Sequence, residues 1–325
     1  MKRRSFLTAM AGIAGMAVAP MVKAQAALPT SPVKLLVGFA PGGGTDTMAR
    51  LIAQHLGALW GIPVVVENKP GASGVIAATY VSQQPPDGTT LLMTNFSNHA
   101  IAPVLMPKIG YDVKRDFSPI MLVGITPNVL IGNQDQKSNT VAELVEQCRK
   151  SPGQVSFGSA GVGAAQHMAL EMFKLRAKVD ALHVPYRGSG AMATDLLGGQ
   201  INYSFETMTS ATPLIRSGKV KALAQTGAKR AKSYPNIPTM AESGFPGFEA
   251  ATWYGIVGPG GMNPALVKRM NEDFNRVIAI PEVAEKLQGF GAEDGGGSVE
   301  KFSDFIDAEL KKWAEVVKEA NVQPG

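Results

Sequence analysis

Val33-Lys34-Leu35-Leu36-Val37-Gly38-Phe39 is an apolar run that leads through Ala40-Pro41-Gly42-Gly43-Gly44-Thr45-Asp46 into a helical pattern from Thr47 to Leu59. The order is strand, bare glycine loop, helix. It recurs at Val155 to Phe157, Gly158-Ser159-Ala160-Gly161-Val162-Gly163 and a helical pattern from Ala164 to Leu175. In each unit the glycines let the main chain turn tightly and leave the first N–H groups of the helix unpaired, where the helix dipole also favours negative charge. Thr45 or Asp46 also suits an N-cap, so a plain strand-to-helix connection accounts for part of the pattern. It does not account for three successive glycines, which cost backbone entropy on ordering. Close approach of a ligand at Gly43 explains them. Two such units predict a small carboxylate held by backbone N–H groups in a cleft.

Strand and helix patterns alternate outward from these units, which predicts an α/β architecture with largely parallel sheets. Val64 to Glu67 and Thr90 to Met93 read as strands, Val75 to Gln83 as a short helix, and Pro85-Pro86-Asp87-Gly88 as a turn. Asn128 to Ile131 reads as a strand crossing into a second domain, followed by a helix over Thr140 to Lys150. Ala181 to Val184, Ile201 to Phe205, Lys219 to Gln225 and Trp253 to Val257 are further strands, and amphipathic helices over Pro264 to Ile278 and Val299 to Ala320 close the chain. About 300 residues beyond the leader exceed one ordinary core, so two domains are expected. The first is 27–128 with 250–325, the second 129–249, with two crossings and a hinged cleft.

Residues Met1 to Ala26 contain Lys2, Arg3 and Arg4, an apolar stretch from Phe6 to Val22, and the small-x-small string Ala24-Gln25-Ala26. This is the pattern of a cleaved secretory signal, with an apolar core too short and too interrupted for a membrane span. Arg3-Arg4-Ser5-Phe6-Leu7 resembles a twin-arginine string, and Sec export fits equally. Either route predicts a periplasmic protein. Of 31 Lys plus Arg residues, four lie in this leader, leaving 27 against 26 Asp plus Glu. A nearly neutral mature chain without a basic cluster excludes a nucleic-acid partner. The mature chain is not expected to insert in a membrane.

Cys148 is the only cysteine, so there is no intrachain disulfide and no thiolate metal cluster, and its helical setting predicts an inert thiol. His55, His99, His167 and His183 stand singly, without the spacing of a metal site. The first glycine loop lacks the Gly-Lys-Ser/Thr of a triphosphate loop. The second departs from Gly-x-Gly-x-x-Gly, although Asp180 stands where a ribose-binding acid belongs. Ser159 lacks a nucleophile elbow but remains open to a pairing with His183. Glu206, at the end of the Ile201–Phe205 strand, is placed to face the cleft and accept from an amine or a bridging water. Lys69 and Arg187 are loop cations within reach of a carboxylate.

Taken together, the strings Val37 to Asp46, Val65-Val66-Glu67-Asn68-Lys69-Pro70-Gly71-Ala72, Pro86-Asp87-Gly88-Thr89-Thr90-Leu91, Gly158 to Gly163, His183-Val184-Pro185-Tyr186-Arg187-Gly188, Asp195-Leu196-Leu197-Gly198-Gly199 and Pro235 to Gly244 resemble the Bug-type periplasmic solute receptors of tripartite tricarboxylate transporters. They span nearly the whole mature chain in order. The resemblance implies a two-domain periplasmic-binding-protein fold of type II, each domain a mixed, mainly parallel sheet flanked by helices, with the ligand between them. It implies a small carboxylate solute, a membrane permease as partner, no catalysis, no cofactor and no metal. The site it implies comprises Phe39, Ala40, Pro41, Gly42, Gly43, Gly44, Thr45 and Asp46 in the first loop, Thr94 and Asn95 at a strand end, and Ser159, Ala160 and Gly161 in the second loop. Glu206 stands where the family commonly has aspartate, and its longer side chain narrows that side of the pocket. An exported enzyme acting on a small carboxylate, or a receptor feeding a signalling partner, are the alternative readings.

Overall fold

The computed structural model describes residues 27–106, 108–319 and 322–323. The leader, 1–26, lies outside the described residues. The chain runs β1 (Val33–Val37), α1 (Gly44–Trp60), β2 (Val64–Asn68), α2 (Val75–Ser82), β3 (Thr90–Asn95), a π-helical turn over Ser97–Ile101, and α3 (Ala102–Leu105). The long β4 (Phe117–Asn133) leads to α4 (Val141–Lys150), β5 (Ser156–Ser159), α5 (Ala165–Ala177), β6 (Leu182–Pro185), α6 (Ser189–Leu197), β7 (Tyr203–Thr207), α7 (Met208–Arg216) and β8 (Val220–Gln225). It returns through β9 (Ala251–Pro259) and ends in α8 (Pro264–Ile278), α9 (Pro281–Gly289) and α10 (Val299–Glu319).

Strand order is β2-β1-β3-β9-β4-β7-β5-β6, with β8 also paired to β4. Ladders are parallel within β2-β1-β3 and within β6-β5-β7, and antiparallel wherever β4 or β9 takes part. Phe117 to Pro127 of β4 pair with β9, whereas Asn128 to Asn133 pair with β7 and β8. One strand thus belongs to two sheets, and its partner changes between Pro127 and Asn128. We call the part built on β2-β1-β3-β9 the first lobe and the part on β5 to β8 the second. The fold is a two-domain periplasmic-binding-protein fold with a mixed sheet and helices on its faces.

The local rules of the sequence explain most element ends. Thr140 caps α4 by accepting from the Glu143 N–H, Asn263 caps α8 through Ala265, and Gly61 ends α1 in the left-handed conformation. α1 begins at Gly44, three residues before the apolar pattern, because glycines carry no periodicity signal. The first half of β4, α7 and α9 were not read from sequence. Each is short, or carries a proline or an unbroken apolar run that mutes the periodicity.

The lobes are closed on one another. Ala160 and Ala164 of the second lobe belong to the apolar cluster that contains Phe39 and Met48, and Ala165 and Met168 join the one that contains Ile101 and Leu105. Ser73 donates its hydroxyl to the Val162 carbonyl across the gap. α10 straps the first lobe, burying Phe302, Ile306 and Trp313 in the second of these clusters. No helix among the described residues is long and apolar enough to cross a membrane.

Candidate functional site

A cavity with about 350 Å³ of empty space, counting the part open to solvent, lies between the lobes at the C-terminal ends of the parallel strands. From the first lobe it is lined by Phe39, Gly43, Gly44 and Thr45, by Asn95 and Ser97, and by Thr252 and Tyr254 on β9. From the second come Ala160, Ala165, Gln166, Ser189 and Thr207. The N-termini of α1, α5 and α6 open on it. Their N-cap positions, Gly43, Ala164 and Gly188, make no side-chain cap, so the orphan N–H groups of these helices have no resident partner of that kind. No Lys, Arg or His lines the cavity. The anion-attracting field comes from backbone dipoles alone.

The three glycines of the first loop do different things. Gly42 takes φ +86°, which makes the turn. At Gly43 an added Cβ would meet Ser189 at 3.7 Å and the Ala40 carbonyl at 3.9 Å, both ordinary contacts. Gly44 is the position of close approach, since a Cβ there would overlap the Tyr254 hydroxyl and come within 2.8 Å of Thr207 Oγ1. Asp46 is 3% exposed and does not line the cavity. Its carboxylate accepts from the Gly42 N–H at 3.0 Å, Arg50 Nε at 2.9 Å and Asn68 Nδ2 at 2.9 Å. Burial pushes its pKa up, but Arg50 and the Gly42 and Asn68 hydrogen bonds outweigh that and hold it low. It shapes the loop from behind.

Ala40 and Pro41 also stand off the cavity, against Gly188 and Gly190 of the second lobe. Asn95 reaches it and donates to Thr45 Oγ1 at 3.0 Å, whereas Thr94 turns away to donate to Asn98 Oδ1 at 2.7 Å. Gly161, with Arg187, lines a neighbouring cavity of about 670 Å³ that shares Phe39 and Ala160 with the first. Lys69 sits over the Tyr80 ring at 4.6 Å.

Ser159 Oγ lies 2.6 Å from His183 Nε2, so the pairing left open by the sequence exists. The serine is 1% exposed, lines no part of the cavity, and takes the Gly161 N–H at 3.1 Å. It braces the second loop rather than facing solvent. His183 stacks on His167 at 4.0 Å, and His167 Nδ1 accepts the Gly163 N–H at 3.1 Å. Asp180 precedes β6, and its carbonyl accepts the Gly153 N–H ahead of β5, at the far end of the sheet from Gly158 to Gly163. A ribose acid must share the loop's end, so the dinucleotide reading fails. Cys148 is buried, and burial with nearby Asp180 pushes its thiol up to about 11, which makes it inert.

Burial pushes His99 down to about 3 and, with the neighbouring His167, His183 down to about 4. Both are neutral in the folded state near pH 6, while the unfolded chain takes up protons near pH 6.5. The unfolded state binds more protons in that window, so stability falls as pH drops from about 6.5 towards 4, by up to about 1.4 kcal/mol per pH unit per group. Urea titrations from pH 7 to 4.5 are expected to show this slope, reduced by about one proton in His183→Gln. An unchanged slope in that variant removes His183 from the account.

The wall also contains residues that sequence reasoning missed. Thr252 and Tyr254 come from β9, about 200 residues beyond the first loop in a chain where only the closed sheet brings them near. Gln166 and Ser189 sit at helix starts like those of the glycine loop, a signal that the sequence did carry. Glu206 is 1% exposed and stands just behind the wall, where its Oε1 accepts from Thr207 N at 2.6 Å, Gln166 Nε2 at 2.9 Å and Ser189 Oγ at 3.1 Å.

Residues 48–322 match the profile of the TctC family, described as tripartite tricarboxylate transporter family receptor. The chain is 36% identical to protein BugT of Bordetella pertussis over 296 residues, 91% of each chain. Among solved structures it is similar to Rpa4515 of R. palustris with adipate, at 34% identity and TM-score 0.89, covering 91% of this chain and 99% of that one. It is also similar to MatC of Rhodopseudomonas palustris with bound malate, at 30% identity and TM-score 0.85, covering 89% of this chain and 100% of that one.

Proposed function

The chain belongs to the family of tripartite tricarboxylate transporter receptors, and from that premise we propose that it is a periplasmic receptor that closes two lobes over a small organic carboxylate and delivers it to a membrane permease. The observation that carries the reading is the convergence of three uncapped helix N-termini on one cation-free cavity between the lobes. Relatives with adipate and malate bound support the carboxylate class. The proposed contacts are the N–H groups of Gly43 to Thr45 and of Ala165 and Gln166, with Asn95 and Ser189 as polar side chains. Ala40, Pro41, Gly42 and Asp46 act by shaping the first loop, and Ser159 and Gly161 by shaping the second. Thr94 acts through Asn98.

The lobes are assigned to 27–128 with 250–325 and to 129–249. The change of partner at Pro127–Asn128 in β4 and the start of β9 at Ala251 support this division. A ligand touching both lobes binds the closed state better than the open one and shifts the equilibrium by that difference. The family is a class of solute-binding receptors, and the buried Ser159 offers a substrate no access to a nucleophile.

The test is calorimetry and thermal unfolding on protein purified from periplasm, unfolded and refolded to strip carried-over ligand, against mono-, di- and tricarboxylates. At least one carboxylate is expected to bind and raise the midpoint with the logarithm of its excess, and to be recovered unchanged. Conversion of the bound compound would make the protein an enzyme. Silence across the panel would remove the carboxylate reading.

A further inference from the structure

The turn after β2 is strained in a way that the ligand contacts do not explain. Among the described residues four non-glycine residues take a positive φ, and two of them stand side by side here, Ala72 at +46° and Ser73 at +52°, between Gly71 at +140° and Gly74 at +92°. A side chain in this left-handed region is costly and persists only where its surroundings fix it. Close packing on the first lobe does so. A Cβ on Gly38, just past β1, would come within 2.5 Å of Gly74 Cα, and one on Gly74 within 2.9 Å of Asn98 Nδ2. The wedged turn aims the Ser73 hydroxyl across the cleft, where it donates to the Val162 carbonyl. The acceptor is held as firmly. Ser159 Oγ takes the Gly161 N–H at 3.1 Å on one side of Val162, and His167 Nδ1 takes the Gly163 N–H at 3.1 Å on the other. Donor and acceptor are each fixed within their own lobe, so the bond costs little further ordering when the lobes meet.

Its place in the sheet gives this bond leverage. Ser73 follows β2, the strand of the first lobe farthest from the crossing strands β4 and β9, and Val162 follows β5, next to the outermost β6 of the second. The hydroxyls of Thr212 and Ser233 also bond across the lobes, to the Gly289 and Gln288 carbonyls. Those carbonyls stand close in the chain to Gly291, which shares a cavity with Ile125, Pro127 and Ala251 where the chain crosses. A rotation about the crossing strands moves a group in proportion to its distance from them, so the Ser73 bond breaks early in opening. Ser73 lines the neighbouring cavity with Gly161 and Arg187, and not the cavity assigned to the ligand. We propose that Ser73 is the latch of the closed state, a positioning residue that sets ligand affinity through the closing equilibrium without touching the ligand. The inference rests on the receptor reading above. In the open state both groups return to water, so the latch contributes the modest factor of an exchanged hydrogen bond.

The test is calorimetry and stopped-flow fluorescence on the stripped protein with the mono-, di- and tricarboxylates of the panel, adipate and malate among them, comparing the wild type with Ser73→Ala and Ser73→Gly. Both variants are expected to bind about 5- to 10-fold more weakly, by the same factor for each carboxylate that the wild type binds. The loss is expected in dissociation, with association within about twofold of the wild type. Glycine takes a left-handed φ without strain, so unliganded Ser73→Gly is expected to unfold at or above the midpoint of Ser73→Ala while binding no more tightly than it. Affinity that falls in step with unliganded stability, more in Ser73→Ala than in Ser73→Gly, would make Ser73 a brace of the first lobe and overturns the inference. Unchanged affinity in both variants overturns it too, as does a factor that differs from ligand to ligand, the mark of a ligand contact, and in each case the receptor reading stands. If no carboxylate of any kind binds the wild type, both fall.

Discussion

Gly44→Ala is expected to lower ligand affinity by roughly 10-fold and to lower the stability of the first lobe without unfolding it. Alanine suits the backbone, because Gly44 is the first residue of α1 and alanine is favoured over glycine in a helix by about 1 kcal/mol. The added methyl group has no room. It would overlap the Tyr254 hydroxyl, come within 2.8 Å of Thr207 Oγ1 and lie 3.3 Å from Thr209 Cβ, and the two threonines approach only when the second lobe closes. Overpacking of this kind costs about 1–3 kcal/mol; the overlap with Tyr254 lies within the first lobe and falls on both states, whereas the overlap with Thr207 and Thr209 falls on the closed state, which is the state that binds. Calorimetry with whichever carboxylate the wild type binds, beside urea unfolding of the unliganded protein, separates the two effects. Unchanged affinity would mean that the lobes do not close against Gly44.

Trp313→Ala is expected to cost about 3–5 kcal/mol of stability, the range for truncating a fully buried aromatic. The ring meets Phe96 edge-on with centroids 4.7 Å apart, and its Nε1 donates to Glu309 Oε2 at 3.1 Å. Phe96 stands between Asn95 and Ser97, which both line the cavity, and the π-helical turn over Ser97–Ile101 begins there. Such turns recur at functional sites because they bend the chain around a fixed side chain. Asn95 is held by its own bonds, with Oδ1 accepting the Ser97 N–H at 3.0 Å and Nδ2 donating to Thr45. The affinity loss is therefore expected to be smaller than the stability loss. A stability change under about 1 kcal/mol would show that α10 does not clamp this turn in solution.

Both expectations concern contacts between distant parts of the chain, which bears on what could be read without coordinates. The glycine loops, the helices that follow them, the caps at Thr140 and Asn263 and the paired α/β units were legible. Each depends on residues within about one or two helical turns, where periodicity, φ preference and capping act locally. The site was legible in part. Phe39, Gly43, Gly44, Thr45, Asn95 and Ala160 line the cavity as the motifs implied. Asp46 and Ser159 were assigned to the ligand because they share those motifs, yet Asp46 spends its carboxylate on Gly42, Arg50 and Asn68 and Ser159 its hydroxyl on His183. Arg50 lies one turn on from Asp46, but Asn68 and His183 are neighbours only after folding.

The sequence by itself determined that the chain is α/β, that two glycine loops present unpaired N–H groups, and which family it resembles, because these follow from local stereochemistry and from strings of residues in order. The tertiary structure alone decided which glycine cannot bear a side chain, because at Gly44 the obstacle is Tyr254 and Thr207. It alone decided which distant residues join the cavity wall, because Thr207 of β7 and Thr252 and Tyr254 of β9 come together only through the registers of β4 with β7 and β9. Register between strands that lie far apart in the chain is set by the burial of whole sheets, a property no short window of sequence contains.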